Sequence, residues 1–221
     1  MNTNIIKQNS FKPINFNLQH VDLCFNLNSL KTRVTNTMIF TNVLGDIYLD
    51  GIGIDLISIS LNNKILTPAE YIYDSSKIII PKAPKKSTIK IIANINPSLN
   101  SRLEGLYISD KIFVTQCEAQ GFRRITYFPD RPDVLSTYTV KITGNKNKYP
   151  VILSNGNLVS KKYIKNDMEV VWNDPFRKPS YLFALVAGKL SQINRKFLTK
   201  SNNKVDLNIW IRKEDKNKIS F

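Results

Sequence analysis

The sequence predicts an all-β protein, an antiparallel, saddle-like assembly of sandwiched sheets with at most short helical turns. Three observations predict it. Apolar and polar residues alternate with period two through run after run of the chain, as a half-buried strand requires. Those runs are rich in Ile, Val, Thr, Tyr and Phe, which suit a pleated surface. Asn, Asp, Gly and Pro interrupt them at short, regular intervals. No helix of usable length, no repeat and no low-complexity tract is found.

In order along the chain, INFNLQHVDLCFNL at 14–27 alternates cleanly, and TRVTNTMIFT at 32–41 follows it across a short turn at Asn28 and Ser29, so the two read as a hairpin. DIYLDG at 46–51, IDLISISLNN at 54–63, EYIYD at 70–74, KIIIP at 77–81 and STIKIIANINP at 87–97 are further short strands. After residue 100 the texture changes: IFVTQ at 112–116 reads as a strand that delivers Glu118 to its end, and regular alternation stops after Gln116. Strands resume at 136–144, 149–156, 168–175, 181–190 and 204–212, with Asn155-Gly156 as a tight-turn signal because both residues tolerate positive φ. The charged RKEDKNKISF that follows a strand-like run makes the chain look interrupted at 221.

A chain of 221 residues with 42% hydrophobic and 10% aromatic residues can bury a sizeable core, and one domain over 1–221 is expected. The balance of 32 Lys and Arg against 17 Asp and Glu, a net +15, invites a nucleic-acid or anionic-membrane partner. The lysines are scattered, however, and abundant Lys, Asn and Ile together are what an AT-rich coding bias yields, so neither partner is expected. No segment approaches the length of a membrane span, and MNTNIIKQNSFKPINFNL lacks the apolar run of a secretory leader. Two cysteines, Cys24 and Cys117, are too few for a disulfide scaffold, so a reducing cytoplasm is expected. A single histidine, His20, leaves no pair for a zincin motif, and its alternating context marks it as a strand residue rather than a catalytic one.

The stretch with chemical content is TQCEAQGFRRITYFPDRPD at 115–133. If the strand continued past Gln116, Gln116 and Glu118 would share one face and Cys117 would turn inward as a small buried hydrophobe. The residues alone leave two readings of Glu118: a surface carboxylate paired with Arg123 or Arg124, or an anchor for a cationic ligand. Arg123, Arg124, Asp130, Arg131 and Asp133 read as a charged network fixing the YFPDRPD loop.

TQCEAQGFRRITYFPDRPDV resembles the N-terminal domain of the M1 family of zinc aminopeptidases, in its bacterial alanyl aminopeptidase or aminopeptidase N branch. LEGLYIS at 103–109, YPVILSNGN at 149–157 and WNDPFRKPSYLFALVAG at 172–188 match the same pattern in the same order, while VDLCFNLNSLKTRVT at 21–35 fits more loosely. The resemblance implies a saddle-like front domain covering one side of an active site held by a thermolysin-like catalytic domain, expected after residue 221. There an H-E-x-x-H pair, a further Glu and water would hold Zn²⁺, and a G-A-M-E-N loop would bind the substrate backbone; none of these motifs occurs in residues 1–221. This chain by itself is thus expected to hold no catalytic residue, no metal and no cofactor. The resemblance also implies that Gln116 and Glu118 bind the α-amino group of a peptide substrate. The expected partners are peptide N-termini and the catalytic domain of the same enzyme. A free-standing peptide- or protein-binding β module, or a decayed remnant of the enzyme, is the competing expectation.

Overall fold

The computed structural model describes residues 11–74 and 76–218. The first ten residues, part of the stretch read above for a leader, and the last three lie outside the described residues. An eight-stranded sheet forms the back of the molecule, built from β1 (Asn17–Asn26), β2 (Thr32–Thr41), β4 (Asp55–Leu61), β5 (Lys64–Ile65), β8 (Ser87–Ile95), β11 (Ser136–Asn145), β13 (Asn157–Ile164) and β14 (Asp167–Lys178). Its order is β13-β14-β11-β1-β2-β8-β4-β5. A three-stranded sheet comprises β3 (Ile47–Asp50), β6 (Ile72–Asp74) and β7 (Lys77–Ile80), in the order β3-β7-β6. A four-stranded sheet comprises β9 (Gly105–Ser109), β10 (Ile112–Gln116), β12 (Val151–Ser154) and β15 (Leu185–Gly188), in the order β12-β15-β10-β9. The last two strands, β16 (Ser191–Leu198) and β17 (Lys204–Ile211), form a sheet of their own. Among the described residues helical structure is confined to short 3₁₀ segments.

The inward faces follow from the alternation. Leu18, Val21, Leu23 and Phe25 of β1, Val34, Met38 and Phe40 of β2, Ile89, Ile91 and Ala93 of β8, and Tyr138, Val140 and Ile142 of β11 form one buried face. It shares a single core with Ile47, Leu49, Ile78 and Ile80 of the three-stranded sheet and with Leu106, Phe113, Ile152, Leu185 and Ala187 of the four-stranded one. At about 1.5–3 kcal/mol for each large side chain removed from water, this core is what makes the assembly stable.

The hairpin expected at 14–41 is present as the antiparallel β1–β2 pair. The connections and a few strands differ from the sequence reading. β1 and β11 pair in parallel, because β11 returns from across the molecule rather than through a tight turn. The tight turn expected at Asn155-Gly156 is present, but it links strands of two different sheets, β12 and β13, rather than the two arms of a hairpin. Gly156, at φ +82°, passes so close to Asn173 that a Cβ would fall 2.3 Å from its carbonyl oxygen. Finally, β9, β13 and β16 are strands that the pattern did not disclose; β9 is only five residues long, β13 is mostly exposed and β16 scarcely buries a residue.

Candidate substrate-amine site

β10 is an inner strand of the four-stranded sheet, with β9 on one side and β15 on the other. Phe113 points into the core and packs edge-on to Tyr149, fixing the strand against the body of the domain. The strand ends at Gln116, opposite Gly105, and Glu118 lies just beyond it. Cys117 is buried, while Gln116 and Glu118 on either side of it are exposed. The Gln116 side-chain amide donates to the main-chain oxygen of Glu118 at 3.2 Å, tying the two together. The Glu118–Ala119 peptide bond is cis. Burial, with the Asp130 charge adding to it, pushes the Cys117 thiol upward, so that it is an inert packing group beside the site.

The turn after Glu118 is held by backbone bonds and two close approaches. Gly121 N–H donates to the Cys117 carbonyl at 2.8 Å, and Arg124 N–H to the Gly121 carbonyl at 3.0 Å. A Cβ on Gly121 would lie 2.3 Å from the Gln116 carbonyl oxygen. Gly105 opposite adopts φ +74°, with Arg124 Cβ only 2.8 Å from where its own Cβ would be. The 3₁₀ turn Phe122–Arg124 then drops Phe122 into the core against Phe128 and Phe183, with ring centroids 4.8 and 5.3 Å away.

Each arginine near the site already has an acid. Arg123 donates to Asp130 from its backbone N–H at 3.1 Å, from Nε at 3.0 Å and from Nη2 to the Asp130 carbonyl at 2.8 Å. Asp130, only 2% exposed, also accepts from Ser180 Oγ, and Arg123 reaches Asp50 at 3.7 Å. Arg124 pairs with Glu104 at 2.6 Å and Arg131 with Asp133 at 2.7 Å; the latter bond holds the Asp133 carboxyl below its ordinary range. The ion pair of Glu118 with Arg123 or Arg124, one of the two readings above, is therefore not formed. Among the described residues Glu118 has no cationic partner, although the chain carries a net +15. The charged network holds the YFPDRPD loop as expected, except that Arg124 leaves it for Glu104. Asp50, Glu104 and Ser180 had no local signal in the sequence, since each comes from another strand or turn.

His20 is half-buried and hydrogen-bonded to Thr137 at 2.7 Å, to Thr139 at 3.1 Å and to Asp22 at 3.3 Å. Among the described residues no group of three or more His, Cys, Asp or Glu side chains is placed to hold a metal ion. No helix among them is long and apolar enough to cross a membrane.

The all-β body is shared with solved metallopeptidases. Aminopeptidase A of Legionella pneumophila, crystallised with aspartic acid, superposes with a TM-score of 0.92 at 32% identity, covering 98% of this chain and 26% of that one. An M1 zinc metallopeptidase of Deinococcus radiodurans, bound to a Tyr-Ser-Ala substrate, shares the fold at a TM-score of 0.74 and 15% identity, covering 88% of this chain and 47% of that one. Aminopeptidase N of Caulobacter vibrioides is 41% identical over 205 residues, 91% of this chain and 24% of the relative. The sequence model described as the peptidase M1 N-terminal domain matches residues 12–182, and the chain belongs to that family. It spans about a quarter of the length of its aminopeptidase N relative.

Proposed function

We propose that this chain is the front domain of a zinc aminopeptidase that releases N-terminal residues from peptides, that Glu118 with Gln116 anchors the substrate's α-amino group, and that the domain covers one side of the active-site cleft. In this reading the zinc and the catalytic groups belong to a catalytic domain outside these 221 residues, and the chain alone is inactive. The reading is supported above all by the free carboxylate of Glu118: its neighbouring arginines are engaged elsewhere, and the turn that presents it is clamped by Gly105, Gly121 and Asp130. A fixed, solvent-facing negative charge distinguishes an ammonium from the neutral amide of an internal peptide bond. At about 4 Å and an effective dielectric of about 20 the attraction is roughly 4 kcal/mol before desolvation. One third of that is about tenfold in affinity. Gln116, on the same exposed side, adds an amide that donates to a carbonyl or accepts from the ammonium. Both cysteines are free, as a reducing compartment such as the cytoplasm would keep them.

The test replaces the front quarter of the Caulobacter vibrioides aminopeptidase N with this chain. Glu118→Gln in that chimera is expected to lower kcat/KM for a dipeptide by about tenfold or more. The same peptide with an acetylated N-terminus, already a poor substrate, should hardly respond. Equal losses on both substrates would refute the amine anchor. The 221-residue chain supplied with zinc should hydrolyse neither.

A further inference from the structure

β10 carries Glu118 just beyond one of its ends. At the other end, where the strand begins with Ile112, lies a cavity of about 660 Å³, the size of a small-molecule site. Its apolar part is made by Ile108, Ile112 and the half-buried Tyr149. Its charged part is mostly cationic: Lys111, Lys148, Lys189 and Arg212 line it, against Asp110 and Glu214, which leaves a net +2. Lys and Arg supply 32 of the 221 residues, about one in seven, yet four of the ten that line this cavity. Lysines that look scattered along the chain are gathered here by the fold.

Each cation stands on a defined piece of backbone. Asp110 and Lys111, both with positive φ (47° and 65°), form the tight turn between β9 and β10 and so set Lys111 at the cavity. Asn145 shapes the loop that holds Lys148 and Tyr149: its side-chain oxygen accepts from the Asn147 and Lys148 N–H groups, each at 3.1 Å, and its carbonyl from Tyr149 N–H at 2.8 Å. Gly188 comes so close to β10 that a Cβ would meet Ile112 at 2.8 Å, and Lys189 follows it directly. Arg212, at the base of the β16–β17 hairpin, reaches Asp110 at 3.8 Å and Ser109 Oγ at 3.5 Å. Asp110 is thereby answered, whereas Lys111, Lys148 and Lys189 make no ion pair among the described residues.

We infer that this cavity binds a small organic phosphate of the nucleoside triphosphate class, its phosphates among Lys111, Lys148 and Lys189 and its aromatic body on Ile108, Ile112 and Tyr149. Three ammonium groups around one cavity repel each other, and a polyanion between them turns that repulsion into attraction. Lysine suits the task, because it meets phosphate as a point charge. The apolar floor decides for an organic ligand, since a bare inorganic ion gains nothing from it. The site stands apart from the proposed function: it shares β10 with Glu118 but no residue with the amine site.

The test is calorimetric titration of the 221-residue chain with ATP, inorganic tripolyphosphate and adenosine, at low salt and without divalent metal. One ATP is expected per chain, with tripolyphosphate about threefold or more weaker, adenosine weaker still, and ATP affinity falling as salt rises. Lys148→Glu/Lys189→Glu changes two exposed side chains, and should weaken ATP by about tenfold or more while moving the melting temperature by less than about 2 °C. Lys111→Gln alone should weaken it by about threefold or more. Lys85→Glu/Lys86→Glu makes the same charge change in an exposed loop that does not line the cavity, and should leave the affinity within about twofold. Equal weakening by the two double variants would show attraction to overall charge and would overturn the inference. So would tripolyphosphate binding as tightly as ATP, or a folded wild-type chain that takes up no ATP. Glu118→Gln should bind ATP as the wild type does; a loss there would place the anion elsewhere and overturn the assignment to this cavity.

Discussion

The turn from Cys117 to Asp133 and the hairpin from Ser191 to Ile211 are opposites. The turn has almost no regular secondary structure, yet it is fixed on every side: by the Gly121 and Gly105 contacts, by Phe122 among core aromatics, and by Asp130 with bonds from Arg123 and Ser180. The hairpin has a full eight-pair register, yet outside its base it is packed against nothing. Regular backbone and rigidity are thus separate properties. The first comes from paired main-chain groups, and the second from burial and from satisfied charges. The irregular turn thus presents the Glu118 carboxylate from a fixed place, while the regular hairpin leaves most of its side chains exposed.

The contrast can be broken most sharply at Asp130. Asp130→Ala leaves the Arg123 guanidinium and the Ser180 hydroxyl without their buried acceptor, and is expected to cost about 3–5 kcal/mol in a urea unfolding curve. A cost under about 1 kcal/mol would mean that the turn is not held by charge. Gly121→Ala drives a Cβ against the Gln116 carbonyl, and with the backbone forced to yield is expected to cost about 1–3 kcal/mol. If that variant were neutral, the close approach of the turn to the end of β10 would not be a constraint.

The pH dependence offers a finer test. Burial raises the Asp50 carboxyl above its ordinary range, against the pull of Arg123. The folded chain therefore holds that proton more tightly than the unfolded one, so this group's contribution to stability falls as pH climbs from the ordinary carboxylate value through the raised one, and is level above it. Asp50→Asn should remove that slope. Melting temperatures of both chains between about pH 4 and 7 would show the wild-type-minus-variant difference falling with pH; a rising difference would reverse the assignment. At the small end, Glu118→Gln and Leu207→Lys in the free chain should each change stability by less than about 0.5 kcal/mol, since neither side chain is buried or paired. A larger loss at Leu207 would erase the distinction between the two regions.

Much of the fold was legible in the sequence because most strands bury one face. Val34, Met38 and Phe40 alternate with outward residues in β2, as do Ile89, Ile91 and Ala93 in β8, and each alternation was readable as written. β13 and β16 were not, because strands that bury little are under no demand to alternate: NLVSKKYI and SQINRKFL carry no inward set. The parallel β1–β11 pair was equally hidden, since period two is the same whichever way a neighbour runs. The strand end that carries Glu118 was found from its local pattern, whereas the partners that free it were not.

By itself the sequence determined the all-β class, the inward faces of the main strands, the burial of Cys117 between exposed Gln116 and Glu118, and membership in a peptidase family through motifs contiguous in the chain. Only the tertiary structure decided that Arg124 is taken by Glu104, Arg123 by Asp130 and Asp50, and that the last hairpin stands unpaired. The reason is one of range. Side-chain alternation and turn chemistry act between residues a few positions apart, so they are written locally. Which acid reaches which arginine, and which sheet accepts a strand, depend on groups from distant segments that meet only when the shared core closes.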